Sequence, residues 1–290
     1  MRFKTRKKNN HSIKIYILMI VISFILTYNY LDYLKNLKIN NNLLMDLSTN
    51  NYELKFKDKV KSLLYMGLNY NVGNEETKLK ILTNKKNDSK PLIYIYNTHQ
   101  SEEYDSKMLN AYNISYTVET ASYILKDYLN KYGINSFVEK ESIASYLNSN
   151  NLSYKDSYKA SRYYINKRLN EDKSINYIID IHRDSLPKDK TTTVINGKSF
   201  AKILFVIGLD NKNYVYNLDL ANKINSKIDK SITRGILKKG GRSSNGIYNQ
   251  DLSKNALLIE IGGSENTIEE VNNSIVVLAR AINESIDKNE

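Results

Sequence analysis

From Pro91 onward, apolar runs of strand length alternate with longer stretches in which apolar residues recur every three or four positions. That alternation predicts a mostly parallel α/β sheet flanked by helices. Strands are expected at Leu92–Tyr96, Ser136–Glu139, Tyr177–Ile181, Lys202–Ile207 and Leu257–Ile261. One helix should run from Val118 to Tyr132, with Val118, Ala121, Leu125, Tyr128 and Leu129 on one face and Gly133 as its stop. Others are expected over Tyr154–Asn170, Tyr214–Ile228 and Ile268–Ile286, the last with an apolar stripe of Val271, Ile275, Leu278, Ala279 and Ile282.

The chain before Pro91 follows other rules. Ile15 to Leu31 is an uncharged run of 17 residues between Lys14 and Asp32, near the short end of the ~17–25 that cross a bilayer. No small-x-small cleavage site follows it, since Tyr28-Asn29-Tyr30-Leu31 is bulky, so an uncleaved anchor is expected rather than a signal peptide. The basic residues Arg2, Lys4, Arg6, Lys7, Lys8 and Lys14 stay cytoplasmic by the positive-inside rule. The expected organisation is a cytoplasmic tail (1–14), a transmembrane anchor (15–31), an extracytoplasmic Asn- and Lys-rich stalk (32–90) and a catalytic domain (91–290).

Charge changes the picture little. Of the formal net charge of +12, six units belong to the tail, and the moderately basic remainder suits an anionic wall polymer as well as a nucleic acid; no nucleic-acid partner is expected. Cysteine is absent, which removes disulfides, thiolate ligands and a cysteine nucleophile. There is no phosphate-binding G-x-x-x-x-G-K-[ST] loop, no G-x-S-x-G elbow and no H-E-x-x-H helix.

Chemistry is expected beyond the carboxyl ends of the strands, where open parallel sheets bind their ligands. The chain has three histidines. His11 lies in the tail, while His99 and His182 each follow a predicted strand. With Glu102 in an H-x-x-E spacing, they offer the two imidazoles and one carboxylate of an open, hydrolytic metal site. Either histidine alone reads as an ordinary loop residue; the coincidence of the two favours a site. Glu260 lies within Ala256-Leu257-Leu258-Ile259-Glu260-Ile261-Gly262, where burial is costly unless offset. It is either a general base beside a metal or one half of an ion pair with Lys or Arg. Asp180 shares a strand face with His182 and can support it; Arg183 and Asp184 either pair with each other or bind substrate.

Four segments carry a resemblance. Asn97-Thr98-His99-Gln100-Ser101-Glu102-Glu103-Tyr104, Ile179-Asp180-Ile181-His182-Arg183-Asp184, Tyr248-Asn249-Gln250-Asp251-Leu252-Ser253 and Leu258-Ile259-Glu260-Ile261-Gly262, with Asn266-Thr267-Ile268-Glu269-Glu270 after them, resemble stage II sporulation protein P over about Pro91 to Ile282. The resemblance implies an amidase-like fold. It also implies a zinc-dependent peptidoglycan hydrolase of the N-acetylmuramoyl-L-alanine amidase superfamily, with amidase and endopeptidase activity. Such a protein acts in forespore engulfment beside stage II sporulation proteins D and M. By that resemblance His99, Glu102 and His182 hold zinc and Glu260 is the catalytic glutamate, while Arg183, Asn249 and Gln250 are expected at the substrate. Glu119 rivals Glu102 as third ligand, because the wider superfamily takes its glutamate from the helix after the first histidine. The chain departs from the pattern in a short stalk and in Asn97, which stands where a histidine is expected. A wall-binding scaffold without catalysis and a metallopeptidase acting on protein are the alternatives.

Overall fold

A computed structural model of the chain describes residues 90–106, 115–241 and 245–287. The expected tail and anchor, and the stalk up to residue 89, lie outside the described residues. Among the described residues no helix is long and apolar enough to cross a membrane.

In chain order the elements are β1 (Ile93–Tyr96), α1 (Val118–Lys131), β2 (Ser136–Val138), α2 (Ile143–Ser149) and, after a 3-10 turn at Tyr154–Asp156, α3 (Ser157–Glu171). Then follow β3 (Tyr177–Asp184), the single turn α4 (Lys188–Thr191), β4 (Thr192–Ile195), β5 (Lys198–Ala201), β6 (Ile203–Gly208) and α5 (Tyr214–Asn225). The chain continues with β7 (Thr233–Lys239), a 3-10 turn at Gln250–Leu252, β8 (Ala256–Gly263) and α6 (Ile268–Asn283). All five predicted strands form.

Six strands make one sheet in the order β2-β1-β3-β8-β6-β7. The first four are mutually parallel, β6 runs antiparallel to β8, and β7 is parallel to β6. The reversal has a local cause. A parallel neighbour requires a crossover long enough to return the chain to the starting edge. Between β3 and β6, however, the chain makes only α4 and the antiparallel β4–β5 hairpin, so it re-enters the sheet from the edge it has just left. That hairpin turns on Asn196 (φ 50°) and Gly197 (φ 76°), the Asn-Gly pair that favours two-residue turns.

Alternation along the strands separates the two faces of the sheet. Ile93, Ile95, Ile179, Ile181, Leu257, Ile259 and Phe205 pack with the apolar stripes of α1, α5 and α6. On the opposite face Tyr94, Tyr96, Ile178 and Ala256 pack against Ile165 of α3. Toward the carboxyl ends this second face turns polar, with Asp180 and His182 on β3 beside their lateral partners Leu258 and Glu260 on β8.

Replacing Ile259, fully buried in the central sheet, by alanine should cost about 2–5 kcal/mol. Val194→Ala on the hairpin, where the side chain is 63% exposed, should stay within about 0.5 kcal/mol. Urea unfolding of the two variants checks the contrast.

Candidate metal centre

The site is assembled by two strand ends and one tight turn. After β1 the chain turns back at once, the Glu102 N–H donating to His99 O at 3.0 Å, which brings the H-x-x-E side chains to one side. The turn is pinned to the start of α1 by Val118 N–H donating to Glu102 O at 3.0 Å and by Tyr104 N–H donating to Tyr116 O at 2.8 Å. The Glu102 carboxylate then spans the two imidazoles, with Oε1 3.5 Å from His99 Nδ1 and Oε2 3.3 Å from His182 Nδ1. The Arg183 N–H also donates to Oε2, at 3.1 Å. One ligand atom from each of His99, Glu102 and His182 lies within 4.8 Å of the others.

Those separations suit a small divalent cation. Bonds of about 2.0–2.2 Å in tetrahedral array place neighbouring ligand atoms roughly 3.4 Å apart, close to the spacing of Oε1 to His99 and of Oε2 to His182. The donor set of two imidazoles and a carboxylate is that of a hydrolytic zinc centre. His182 Nε2 lies 3.0 Å from Asp180 Oδ1, an electrostatic contact without the alignment of a hydrogen bond. A carboxylate behind the imidazole is how metal-bound histidines are usually oriented. Among the described residues no other such group forms, and Glu119 is not part of this one. It lines a neighbouring cleft instead.

Asp180 is fully buried and ties the two strand ends together. Its Oδ1 accepts from the Thr98 N–H at 2.9 Å and its Oδ2 from the Thr98 hydroxyl at 2.6 Å. Asn97, in the position where a histidine was expected, also does structural work. Its amide donates to Ile181 O at 2.8 Å and its carbonyl oxygen accepts from the Ser122 hydroxyl at 3.1 Å. Both contacts fix where His99 leaves β1. The His99 ring is stacked on Tyr154 (centroids 5.0 Å), edge-on to Tyr158 (5.6 Å) and perpendicular to His182 (5.1 Å).

The electrostatics favour positive charge at the triad. Burial alone raises the Glu102 pKa, but hydrogen bonds from His182, His99 and the Arg183 N–H outweigh it and hold the carboxyl well below its usual range. Burial alone lowers the His182 pKa, but the carboxylates of Asp180 and Glu102 outweigh it and push the imidazole up. A divalent cation held here would replace the imidazolium proton.

Glu260 sits in the opposite electrostatic setting. It is half-buried beside His182, and its hydrogen-bond partner is the Asp184 carboxyl rather than a lysine or arginine. Burial, then the charge of Asp184 and the bond to it, raise the Glu260 pKa to about 7. Burial also raises Asp184, but bonds from the Arg234 guanidinium and from Glu260 keep it below the ordinary range. The proton of the pair therefore rests on Glu260. Asp184 pairs with Arg234 of β7, while the Arg183 guanidinium donates to the backbone oxygens of Glu103 (2.9 Å) and Asp184 (3.2 Å). Of the two roles expected for Arg183 and Asp184, the side-chain pair with each other does not form, and Arg183 clamps the Glu102–Glu103 turn onto the end of β3.

Two expected substrate residues have other work. Asn249 and Gln250 are 4% and 1% exposed. The Asn249 amide donates to Tyr158 O and Ser161 Oγ, and Gln250 accepts from Gly208 N–H while donating to Val206 O. They hold the segment between β7 and β8 against α3 and β6, in a backbone where Tyr248 and Asn249 both have positive φ (51° and 56°). Their amides are thus engaged within the fold. Arg234 was not expected in the site at all, because β7 was not read as a strand.

The family model of stage II sporulation protein P matches residues 18–283. The chain belongs to that family. It is 37% identical over 209 residues to stage II sporulation protein P of Bacillus subtilis (strain 168), an alignment covering 68% of this chain and 50% of that protein; the chain thus spans about half the length of this relative. Among solved structures it is similar to the CwlD amidase from Clostridioides difficile in complex with the GerS lipoprotein (TM-score 0.42, 15% identity, 68% of this chain and 96% of that one). It is also similar to an N-acetylmuramoyl-L-alanine amidase of Nostoc punctiforme (TM-score 0.38, 13% identity, 66% and 94%).

The Glu260 shift carries a stability consequence for the metal-free protein. The folded pKa of about 7 exceeds the ordinary 4.5, so the folded state binds the extra proton and stability falls as pH rises through that window. Urea unfolding in chelator, compared at about pH 5 and about pH 8, should show this loss. It should be flatter in Glu260→Gln, and an equal loss in that variant would refute the assignment.

Proposed function

We propose that the chain is a membrane-tethered, zinc-dependent peptidoglycan hydrolase that cleaves the amide between glycan and stem peptide, with endopeptidase cleavage of the same peptide as its second activity. The observation that carries the reading is the convergence of His99, Glu102 and His182 beside a carboxyl, Glu260, whose pKa lies near neutrality. The segment 15–31 holds the catalytic domain outside the membrane, and the setting is forespore engulfment with stage II sporulation proteins D and M as partners. Family membership supports that setting.

His99, Glu102 and His182 hold the zinc. When bound, zinc supplies Lewis acidity toward the scissile carbonyl and acidifies water. Glu260 in its ionised form takes the proton of the attacking water and, once protonated, delivers it to the leaving amine nitrogen, so that water and amide become carboxylic acid and amine, which part as carboxylate and ammonium once the acid's proton passes to the amine. Asp184, anchored by Arg234, keeps the Glu260 proton affinity near the working pH. Asp180 orients His182 and, through Thr98, the turn that carries His99.

The full chain in detergent should release stem peptides from purified peptidoglycan, stop when chelated and recover with zinc. Glu260→Gln should lower kcat by about 10²–10⁴-fold. Persistent activity in His182→Ala defeats the scheme, and peptidoglycan binding without any product by mass spectrometry points to a scaffold.

Because a base must be ionised, the rate should climb with pH to a limb at or below about 7. Asp184→Asn removes the neighbouring negative charge that raises Glu260, so its limb should move to lower pH. An unmoved limb in that variant excludes Glu260 as the titrating base.

A further inference from the structure

Beside the triad lies an open cleft of about 310 Å³, lined by Thr98, Gln100 and Ser101 from the His99 turn, by Thr117 and Glu119 at the start of α1, by Ser142, Ile143, Ala144 and Leu147 of α2, and by Tyr154. It adjoins the candidate centre across the Tyr154 ring, which borders the cleft on one side and is stacked on His99 on the other. Its walls are tied to each other. The Gln100 amide donates to Glu141 O at 2.8 Å and accepts from the Ile143 N–H at 2.8 Å, fastening the His99 turn to the start of α2.

The lining has two chemical characters. Ile143, Ala144 and Leu147 form an aliphatic wall, and Glu119 supplies a half-buried carboxylate among the hydroxyl-bearing residues Ser101, Thr117 and Ser142. Thr117 is buried at the N-cap of α1, in a capping box with Thr120. An aliphatic wall ending at a carboxylate and hydroxyls complements a flexible methylene chain with an ammonium at its tip. The volume lies at the small end of the ~300–1,000 Å³ typical of ligand sites, which suits one side chain rather than a sugar chain. A peptide reaching from the metal at about 3.3–3.6 Å per residue arrives in a cleft one aromatic ring away after a few residues.

We propose that this cleft is a specificity subsite that receives the side chain of a diamino acid residue of the stem peptide, with Glu119 binding its terminal ammonium. The inference rests on the wall-peptide reading and identifies which part of that substrate is recognised. Glu119 also sits in the first turn of α1, where a carboxylate favours the helix dipole. A purely local role of that kind would make no distinction between ligands.

The test measures binding rather than turnover, so it can fail while hydrolysis stands. Zinc-loaded full chain in detergent, carrying Glu260→Gln to prevent cleavage, is titrated calorimetrically with a muramyl tripeptide ending in lysine, with its Nε-acetylated form and with a diaminopimelate counterpart. The free-amine peptides should bind about tenfold more tightly than the acetylated one, the size of one charge-assisted hydrogen bond. Adding Glu119→Gln should erase that difference while leaving the acetylated peptide unchanged. Ala144→Leu, at an exposed position, should narrow the cleft and weaken all three. The comparison between ligands on one protein stays valid if a variant loses stability. An amine preference that survives Glu119→Gln, no preference in the parent, no binding at all, or full binding in Ala144→Leu overturns the proposal.

Discussion

The arrangement of the site depends on burying one carboxylate, Asp180, in the middle of β3 with no exposed surface. An ionised carboxylate taken out of water costs several kcal/mol unless its oxygens are satisfied. Here satisfaction comes from the Thr98 N–H and hydroxyl and from His182. Those partners belong to the end of β1 and to the same face of β3. The requirement to compensate one buried charge thus fixes both the exit of the chain from β1 and the side on which His182 stands. The His99 turn inherits that position, since His99 follows Thr98 directly.

The second determinant is topological. Because α4 and a hairpin replace a crossover helix between β3 and β6, β6 and β7 run against the first four strands. β7 starts from the edge where β1, β3 and β8 end, and it presents Arg234 to Asp184 there. A fully parallel sheet would put the start of its outer strand at the far edge, away from the site. Arg234 joins the Leu186 N–H in favouring the charge on Asp184 over Glu260. With it the charge settles on Asp184 and the proton on Glu260.

Much of this was legible in the amino-acid sequence, for definable reasons. The four inner strands are dense apolar runs, and the helices over α1, α5 and α6 carry stripes that burial demands, so periodicity found them. The grouping of His99, Glu102 and His182 followed from their places after strands, and the structure brings these three together while Glu119 lines the neighbouring cleft. β7 was missed because Thr233–Lys239 carries Arg234, Lys238 and Lys239 on an edge that water covers on one side. The hairpin was missed despite Asn196-Gly197, whose signal was available. Asn249 and Gln250 are buried with their amides engaged inside the fold, which the sequence did not reveal because a polar motif reads alike whether its amides face a substrate or hold a loop. The difference is set by Tyr158, Ser161, Val206 and Gly208, which lie far away in sequence.

Glu260 shows why pairing decides chemistry where burial alone does not. A glutamate among aliphatic neighbours reads equally as half of an ion pair or as a base with raised proton affinity. A cationic partner would keep it ionised at all physiological pH and leave a poor proton carrier. Its actual partner is another carboxylate that already has a cation of its own. Glu260 is consequently the member of the pair that gains and loses the proton, while the adjacent triad of Glu102, His99 and His182 concentrates negative potential that a cation satisfies. Two neighbouring sites on one strand pair thus hold charges of opposite demand, separated by the register that sets His182 against Glu260. The amide hydrolysis proposed for the chain would use that division, since one group must attract electrons from the carbonyl while another passes a proton between water and amine.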